Sequence, residues 1–346
     1  MAVLAVVTSS PPGVEGGHLV IARALVAAAR EGGHDANLVI TPDFGFGRLT
    51  KTYTATLKID VSRIDGRKVD QVISLRYPSF AVRHRAHVCW LNHTMREYYD
   101  QWPRFAASIS WRNRVKESVR RAILHTVDRH LLKQHVTRVV AQSQTIQRRL
   151  DVDFGIRADV VYPPPPQRPY RCDDYGGYVF AISRLTPLKR IELLVRALAE
   201  PAARHVRAVI AGDGDQRDAL IALAGELQVD GRVEFLGRVD DETLLGHLAR
   251  CRAVCFTPMD EDYGFVTVEA FASRKPVITC RDSGGPAELV VDGDAGLVCD
   301  PTPPSLAAAL ARVTDDRGLA ERLGARAAAR AAEMTWAAVV KRLLIV

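Results

Sequence analysis

Short apolar runs alternate along the chain with longer segments in which apolar residues recur every three or four positions. The runs have the length and composition of buried strands, and the longer segments have the spacing of amphipathic helices. The predicted strands cover residues 1–7, 38–41, 70–75, 88–91, 139–141, 178–183, 207–212, 233–237, 253–256 and 277–280. The clearest predicted helices cover residues 18–30, 111–138, 144–150 and 305–333. This alternation predicts an α/β protein built on doubly wound parallel sheets.

A run of prolines divides this pattern into two halves. Residues 160–166 are Val-Val-Tyr-Pro-Pro-Pro-Pro, and such a run continues neither a sheet nor a helix. We therefore expect a stiff, extended linker at this point. It ends a first domain, residues 1–166, and precedes a second domain whose first strand is 178–183.

Composition and charge narrow the class of protein. Of the 346 residues, 47% are hydrophobic and 25% are charged, which is typical of a globular protein in water. No apolar run approaches the roughly 20 residues of a membrane span, and residues 1–7 are too short and lack the basic start of a secretory signal. The six cysteines form no Cys-x-x-Cys pair, so we expect reduced thiols and a cytoplasmic protein. The net charge of +7 fits an anionic substrate or an acidic surface.

The most informative stretch is residues 253–280, where a strand, a loop, a helix and a second strand follow one another. Glu261 falls in the loop and Glu269 in the first turns of the helix, which opens near Tyr263 and Gly264. The free amides and the dipole of a helix N-terminus attract an anion. Carboxylates beside that anion would repel it unless they bind neutral hydroxyls next to it. A nucleotide sugar has this layout of sugar, diphosphate and ribose.

Cations suited to a diphosphate follow the strand at 178–183. Arg184 supplies a planar fork and Lys189 a point charge at a strand-to-helix turn, although the same residues also fit ordinary surface cations. The acidic segments 213–215 and 260–262 lie in turn contexts, so we interpret neither as a metal site.

Two features of the first domain allow alternative interpretations. Gly16 and Gly17 precede the first helix and either bring the backbone close to a phosphate or sugar or form a tight turn. A G-x-G-x-x-G dinucleotide fingerprint is absent from the sequence. His93 follows the strand at 88–91, at the edge where doubly wound sheets bind ligands, although a lone His there is also often structural.

The segment Glu-Asp-Tyr-Gly-Phe-Val-Thr-Val-Glu-Ala-Phe-Ala, with Pro-Val-Ile and Ser-Gly-Gly-Pro-Ala-Glu downstream, resembles the E-x7-E signature of the retaining glycosyltransferases of family 4. The resemblance covers residues 178–300 well and the first domain loosely. It implies the GT-B fold, in which two Rossmann-like domains face each other across a cleft. The second domain would then be residues 167–333, and residues 334–346 would cross back to the first. Because the chain ends in apolar residues, a protein that continues beyond residue 346 is also expected.

The family resemblance also implies residue roles. Arg184 and Lys189 would bind the donor diphosphate, Glu269 the ribose, and Val239 would border the base. Glu261 and His93 would lie beside the transferred sugar. The implied catalytic residues are His93, Arg184, Lys189 and Glu261. The implied donor-binding residues are Gly16, Gly17, Arg184, Lys189, Val239, Glu261, Tyr263, Gly264, Phe265 and Glu269.

The implied reaction is transfer of a hexosyl group, with retention, from a GDP- or UDP-linked sugar to the hydroxyl of a glycan, a lipid-linked glycan or a small molecule. No cofactor or metal is expected, because cations already serve the diphosphate. A GT-B phosphorylase, an epimerase and a non-catalytic GT-B scaffold remain alternatives. A nicotinamide-dependent dehydrogenase is disfavoured by the missing glycine fingerprint. Arg274 stands where the family often has glycine, so a positive φ there would be strained.

Residues 112–138 combine many Lys and Arg with apolar residues at helical spacing, namely Val115, Val119, Ala122, Ile123, Val127, Leu131 and Leu132. The preferred interpretation is a solvated basic face above an apolar stripe that packs on its own domain. The alternative is weak peripheral contact with an anionic membrane at its inner face. Nucleic acid is not expected, because interleaved aromatic residues are missing from this segment.

Overall fold

The computed structural model describes residues 1–11, 13 and 16–346. Within this range the chain forms two compact units. The first unit consists of Met1–Pro163 with Thr335–Val346, and the second of Pro164–Met334. The division falls inside the proline run, a few residues before the boundary predicted after Pro166.

A parallel sheet forms the centre of the first unit. Its strands are β1 (Val3–Ser10), β2 (Asp35–Pro42), β5 (Gln71–Ser74), β6 (His87–Leu91), β7 (Arg138–Ala141) and β8 (Asp159–Val160), while β3 (Arg63–Ile64) and β4 (Arg67–Lys68) form a separate hairpin. The order across the sheet is β2-β1-β5-β6-β7-β8. The helices of this unit are α1 (Gly17–Glu31), α2 (Leu49–Leu57), α3 (Trp102–Ser108), α4 (Trp111–Gln134), α5 (Gln144–Phe154) and α13 (Trp336–Leu343).

The C-terminal segment belongs to the first unit through specific contacts. The side chain of Gln71, fully buried in β5, donates to the Leu343 carbonyl at 2.8 Å and accepts from the Ile345 amide at 2.9 Å. The ring of Trp336 packs edge-on against Trp90 at 6.3 Å. A buried amide side chain needs such partners, so these backbone groups satisfy Gln71 as they fix α13.

Helix α4 departs from the predicted packing. Leu131 and Leu132 are buried as predicted. The prediction is wrong for Val115, Val119, Ala122, Ile123 and Val127, which are all exposed. The apolar row that the spacing assigned to the core therefore faces outward along most of the helix.

The buried face of α4 instead includes its acidic residues, Glu117 and Asp128. Asp128 accepts hydrogen bonds from the hydroxyls of Tyr53 and Tyr99, and Glu117 accepts one from Tyr98. These partners are distant in sequence, so they satisfy buried carboxyls that a hydrophobic pattern assigns to solvent. Burial raises the pKa of Asp128 to about 7.

A second parallel sheet forms the centre of the second unit. Its strands are β9 (Val179–Ile182), β10 (Ala208–Ala211), β11 (Val233–Gly237), β12 (Ala253–Cys255), β13 (Val277–Cys280) and β14 (Gly296–Cys299). The order is β11-β10-β9-β12-β13-β14, so the direction of winding reverses between β9 and β12. The helices are α6 (Ile191–Ala199), α7 (Arg217–Glu226), α8 (Asp241–Arg250), α9 (Phe265–Ala272), α10 (Gly285–Val290), α11 (Pro303–Asp315) and α12 (Arg317–Glu333).

The structure also bears on three expectations about the Arg274 backbone, the cysteines and membrane-spanning helices. Arg274 has a φ of 54°, the left-handed conformation that was expected to strain a residue other than glycine. The six cysteines are free thiols, four of them buried. In the described part of the chain, no helix combines the length and apolar character needed to cross a membrane.

Candidate active site

Most of the predicted donor residues of the second unit lie near the point where β9 and β12 are side by side. The strands are parallel, so their carboxyl ends share one edge of the sheet. Arg184 and Lys189 lie in the turn after β9, and Glu261 lies in the loop after β12. Ligands of doubly wound sheets bind at this point, outside the strand ends where the winding reverses.

Lys189 and Glu261 form an ion pair. Lys189 Nζ lies 2.7 Å from Glu261 Oε2, and the two side chains are only 16% and 21% exposed. The ammonium also lies 5.6 Å from the centre of the Phe256 ring. Because an ammonium has three N–H donors, Lys189 can hold Glu261 and an incoming anion at the same time.

Arg184 is exposed and directly follows β9, in the same turn as Lys189. Among the residues that the structure describes, its guanidinium makes no hydrogen bond or ion pair. The fork is therefore available to an anion without first breaking a protein contact.

Two glycines hold the Arg184 turn from behind. Gly212 has a φ of 126°, and a Cβ at this position would lie 1.8 Å from the Ser183 carbonyl oxygen. A Cβ at Gly214 would lie 2.4 Å from the carbonyl oxygen of Leu185. The Leu185 amide donates to the Asp213 carbonyl at 2.9 Å. Residues 213–215 thus form a supporting turn, as predicted. In the described residues no group of three or more His, Cys, Asp or Glu side chains has an arrangement suited to a metal ion.

Arg190, which the sequence did not single out, fixes the Glu261 loop. Its Nε donates to the Thr257 carbonyl and one terminal nitrogen to the Pro258 carbonyl, both at 2.8 Å. The two terminal nitrogens also bind the carboxylate of Asp282, each at 2.7 Å. The basic Lys-Arg pair was visible in the sequence, but these distant partners were not.

A glycine pair fixes the other side of the same loop. The Glu261 amide donates to the Ser283 carbonyl at 3.0 Å, and the Gly285 amide donates to the Glu261 carbonyl at 2.9 Å. Gly284 has a φ of 69°, and a Cβ there would lie 2.4 Å from the Glu261 carbonyl oxygen. The Gly-Gly turn therefore sets the position of Glu261.

Helix α9 begins directly after this loop. Gly264 precedes it with a φ of 81° and has no room for a Cβ, which would lie 2.8 Å from both Phe256 and Pro286. Tyr263 is buried with its ring edge-on to Phe265 at 5.2 Å. The first amides of α9 lack partners inside the helix, as at any helix start, and this places donors beside the Glu261 loop.

Glu269, one turn into α9, is buried and already has partners. Its Oε1 lies 3.1 Å from a terminal nitrogen of Arg168 and accepts from the Tyr170 hydroxyl at 3.3 Å. Burial raises the pKa of Glu269, and the contacts with Arg168 and Tyr170 oppose that rise. Sequence reasoning missed both partners, which follow the proline run and lack a recognisable motif.

The remaining predicted residues lie elsewhere. Val239 is half-buried in the loop after β11, which β10 separates from β9. Gly16 and Gly17 lie at the start of α1, and Gly16 is extended with a φ of −157°. His93 follows β6 and is half-buried, and its Nδ1–H donates to the Thr94 carbonyl at 2.7 Å. The two glycines and His93 belong to the first unit, at the carboxyl edge of its sheet.

Comparison with known proteins shows what this chain is similar to. Residues 171–330 match the model of the glycosyl transferases group 1. The D-inositol 3-phosphate glycosyltransferase of Nocardia farcinica is 35% identical over 232 residues, which are 60% of this chain and 51% of that protein. The alpha-D-kanosaminyltransferase of Streptomyces kanamyceticus is 32% identical over 162 residues, 46% of this chain and 42% of that one. The chain thus spans about half the length, or less, of these curated relatives.

Solved structures agree on the fold. Sucrose-phosphate synthase from Thermosynechococcus elongatus has a TM-score of 0.76 at 16% identity, covering 98% of this chain and 97% of that one. Anabaena HepE in complex with UDP and glucose has a TM-score of 0.68 at 19% identity, with the same coverage. These structures confirm the GT-B fold class predicted from the sequence. The match over residues 171–330 confirms the predicted resemblance at the level of the glycosyl transferases group 1.

Proposed function

Because residues 171–330 match the model of the glycosyl transferases group 1, we propose that this protein transfers a hexosyl group from a nucleoside diphosphate sugar to an acceptor hydroxyl. The observation that carries the proposal is the Lys189–Glu261 ion pair at the junction of β9 and β12. The exposed side chain of Arg184 lies in the same turn as Lys189. This arrangement combines positive charge for a diphosphate with a carboxylate for neighbouring hydroxyls.

The donor would occupy the carboxyl edge of the second sheet. Arg184 and Lys189 would bind the diphosphate with the first amides of α9, from Gly264 and Phe265. Glu269 would bind the ribose hydroxyls. The base would lie toward Val239. HepE was crystallised with UDP, which supports a uridine donor, and a GDP-linked sugar is the alternative.

The leaving diphosphate gains negative charge as the bond to the sugar breaks. Fixed cations that are already in place stabilise that charge without reorganisation. We propose that Arg184 and Lys189 supply this stabilisation in place of a metal ion. When the diphosphate draws on the ammonium of Lys189, Glu261 becomes a stronger acceptor for sugar hydroxyls.

The stereochemistry and the first-unit roles follow from the family resemblance. We propose retention at the anomeric carbon, with the leaving phosphate assisting attack from the same face. His93 would lie beside the transferred sugar, and Gly16 and Gly17 would face the diphosphate and the acceptor. The acceptor would be a glycan, a lipid-linked glycan or a small molecule, handled in the cytoplasm.

A donor screen tests the proposal. Thermal unfolding would be followed with UDP-glucose, UDP-N-acetylglucosamine and GDP-mannose, in the wild type and in Arg184→Ala. A donor at 100 times its Kd should stabilise the wild type by about 2.7 kcal/mol, and the variant by clearly less. No stabilisation by any nucleotide sugar, or an equal effect on both proteins, would contradict the donor site.

Turnover separates the alternatives that share this fold. A transferase releases free nucleoside diphosphate only when an acceptor is present. An epimerase would change the sugar without release, a phosphorylase would require inorganic phosphate, and a scaffold would show neither reaction.

A further inference from the structure

Helix α4 exposes a continuous apolar row, which we call the α4 ridge: Trp111, Val115, Val119, Ile123 and Val127. These side chains recur every fourth residue and are 69%, 61%, 57%, 60% and 36% exposed, respectively. Single exposed apolar residues are ordinary, but a contiguous apolar patch marks an interaction surface. The ridge extends over about 24 Å of helix at 1.5 Å per residue.

The charged side chains on the exposed surface of α4 are cationic, and uncharged polar residues lie among them. The acidic residues of the helix, Glu117 and Asp128, are buried against tyrosine hydroxyls. Arg112, Lys116 and Arg120 each follow a ridge residue directly in the sequence and form a basic row beside it. Of the three, Arg120 pairs with the buried Glu117 at 2.7 Å. The helix therefore presents apolar and positive groups together.

An apolar cavity of about 370 Å³ opens beside the ridge, between α2 and α4. Ile123 and Val127 of the ridge line it, together with Leu49, Leu57 and Leu124. The ring of Tyr53 is also in the wall, and its hydroxyl is engaged by Asp128. The volume lies within the roughly 300–1,000 Å³ of small-molecule pockets.

We propose that the α4 ridge docks on an anionic lipid bilayer, with one acyl chain entering the cavity between α2 and α4. The ridge would lie in the plane of the interface, at the boundary of headgroups and acyl chains. Arg112 and Lys116 would contact lipid phosphates. The apolar cavity beside the ridge suits a hydrocarbon chain, because its wall offers aliphatic and aromatic surface.

Charge argues against a second copy of the chain as the occupant. In a two-fold symmetric contact the same patch meets itself. Two α4 ridges in such a contact would bring their basic rows together, and these would repel each other. An anionic bilayer instead offers negatively charged headgroups above an apolar interior. A different protein partner would have to offer negative charge and an apolar groove deep enough for the ridge on one surface.

Vesicle flotation tests the docking surface without any need for turnover, so it can fail independently of the proposed transferase activity. The wild type should float with vesicles of phosphatidylglycerol and phosphatidylcholine, and flotation should weaken in high salt. The double variant Val119→Glu/Ile123→Glu should bind at least about tenfold more weakly, because each change removes an apolar side chain from the interface and adds a negative charge.

A matched control is available in the same unit. Val152→Glu in α5 changes a residue that is 83% exposed and lies outside the ridge. It should float like the wild type. Failure of the wild type to bind anionic vesicles at low salt, or equal flotation of the ridge variant and the control, would overturn the proposal.

A soluble lipid tests the cavity. Dihexanoyl-phosphatidylglycerol below its micelle concentration should bind the wild type and Val152→Glu saturably in calorimetry. Thr54→Trp, at an exposed residue that lines the cavity, should abolish that binding. Saturable binding that survives Thr54→Trp would overturn the cavity assignment. A dimer in light scattering that the ridge variant converts to a monomer would instead assign the ridge to self-association.

Discussion

Replacing Lys189 by Met tests whether this residue serves the donor or only its neighbour Glu261. Methionine keeps most of the side-chain volume and removes the charge. If Lys189 stabilises the leaving diphosphate, its removal should lower kcat/KM on the order of 100-fold, or about 2.7 kcal/mol. If Lys189 only neutralises Glu261, its replacement should act by leaving the Glu261 carboxylate unpaired, and the main effect should be a loss of stability.

The structure gives the magnitude of the stability cost of leaving Glu261 unpaired. The ion pair spans 2.7 Å between side chains that are 16% and 21% exposed. At an effective dielectric constant of 20 the attraction at about 4 Å is roughly 4 kcal/mol, and desolvation of both ions offsets much of it. We therefore expect Lys189→Met to lower the free energy of unfolding by about 1–3 kcal/mol, the cost of leaving a partly buried acceptor unpaired.

A double-mutant cycle with Glu261→Gln separates the two effects. In the Glu261→Gln background the loss of stability on replacing Lys189 should fall below about 1 kcal/mol, because the neighbour is now neutral. The loss of kcat/KM should persist on the order of 100-fold. Arg196→Met, which removes an exposed cation paired with Glu192 on α6, is the matched control and should leave both quantities nearly unchanged. If Glu261→Gln and the double variant Lys189→Met/Glu261→Gln had equal kcat/KM, the proposed role of Lys189 in binding the diphosphate would be refuted.

The remaining predictions concern the loop, the buried acid and metal ions. Gly284→Ala should destabilise the protein by about 2 kcal/mol or more and weaken donor binding in thermal shift, because a Cβ would lie 2.4 Å from the Glu261 carbonyl oxygen at a positive φ; a fully stable variant with normal donor affinity would contradict this. Burial holds the pKa of Asp128 at about 7 in the fold, against about 3.9 when unfolded, so the folded state retains the proton and stability should fall as pH rises from about 4 to 7. The difference in free energy of unfolding between wild type and Asp128→Asn should change by at most about 1.4 kcal/mol per pH unit in this window, and a flat difference would show that the carboxyl titrates normally. Activity should persist in excess EDTA, and complete loss restored by Mn²⁺ or Mg²⁺ would show that the cations are not sufficient.

The sequence was most informative where local pattern and position decide the structure. Short apolar runs such as 253–256 and 277–280 have few alternatives to a buried strand, and strand ends determine which loops meet. The sequence therefore placed Lys189 and Glu261 each after the end of a strand, while the pairing of β9 with β12 and the Lys189–Glu261 contact come from the structure. The helix start at Gly264 was visible for the same reason.

Long-range polar partners decided the features that the sequence could not predict. Arg190 binds Asp282, and Arg168 binds Glu269, across wide separations that no spacing rule connects. In α4, Asp128 is buried because two tyrosine hydroxyls satisfy it, and this turns the apolar row outward. The spacing of apolar residues does not take such hydrogen-bond partners into account, so it assigned the wrong face of α4 to the core.

The glycine-backed turn behind Arg184 also determines how the donor site can be redesigned. The backbone of Gly212 and Gly214 lies directly against the backbone of Ser183 and Leu185, with no room for a Cβ. Almost any side chain at either glycine would therefore push Arg184 out of place. A combinatorial library aimed at new donor sugars should therefore keep both glycines together with Arg184, which they hold in place, and vary residues elsewhere, since diversity behind the turn would mostly yield misfolded clones.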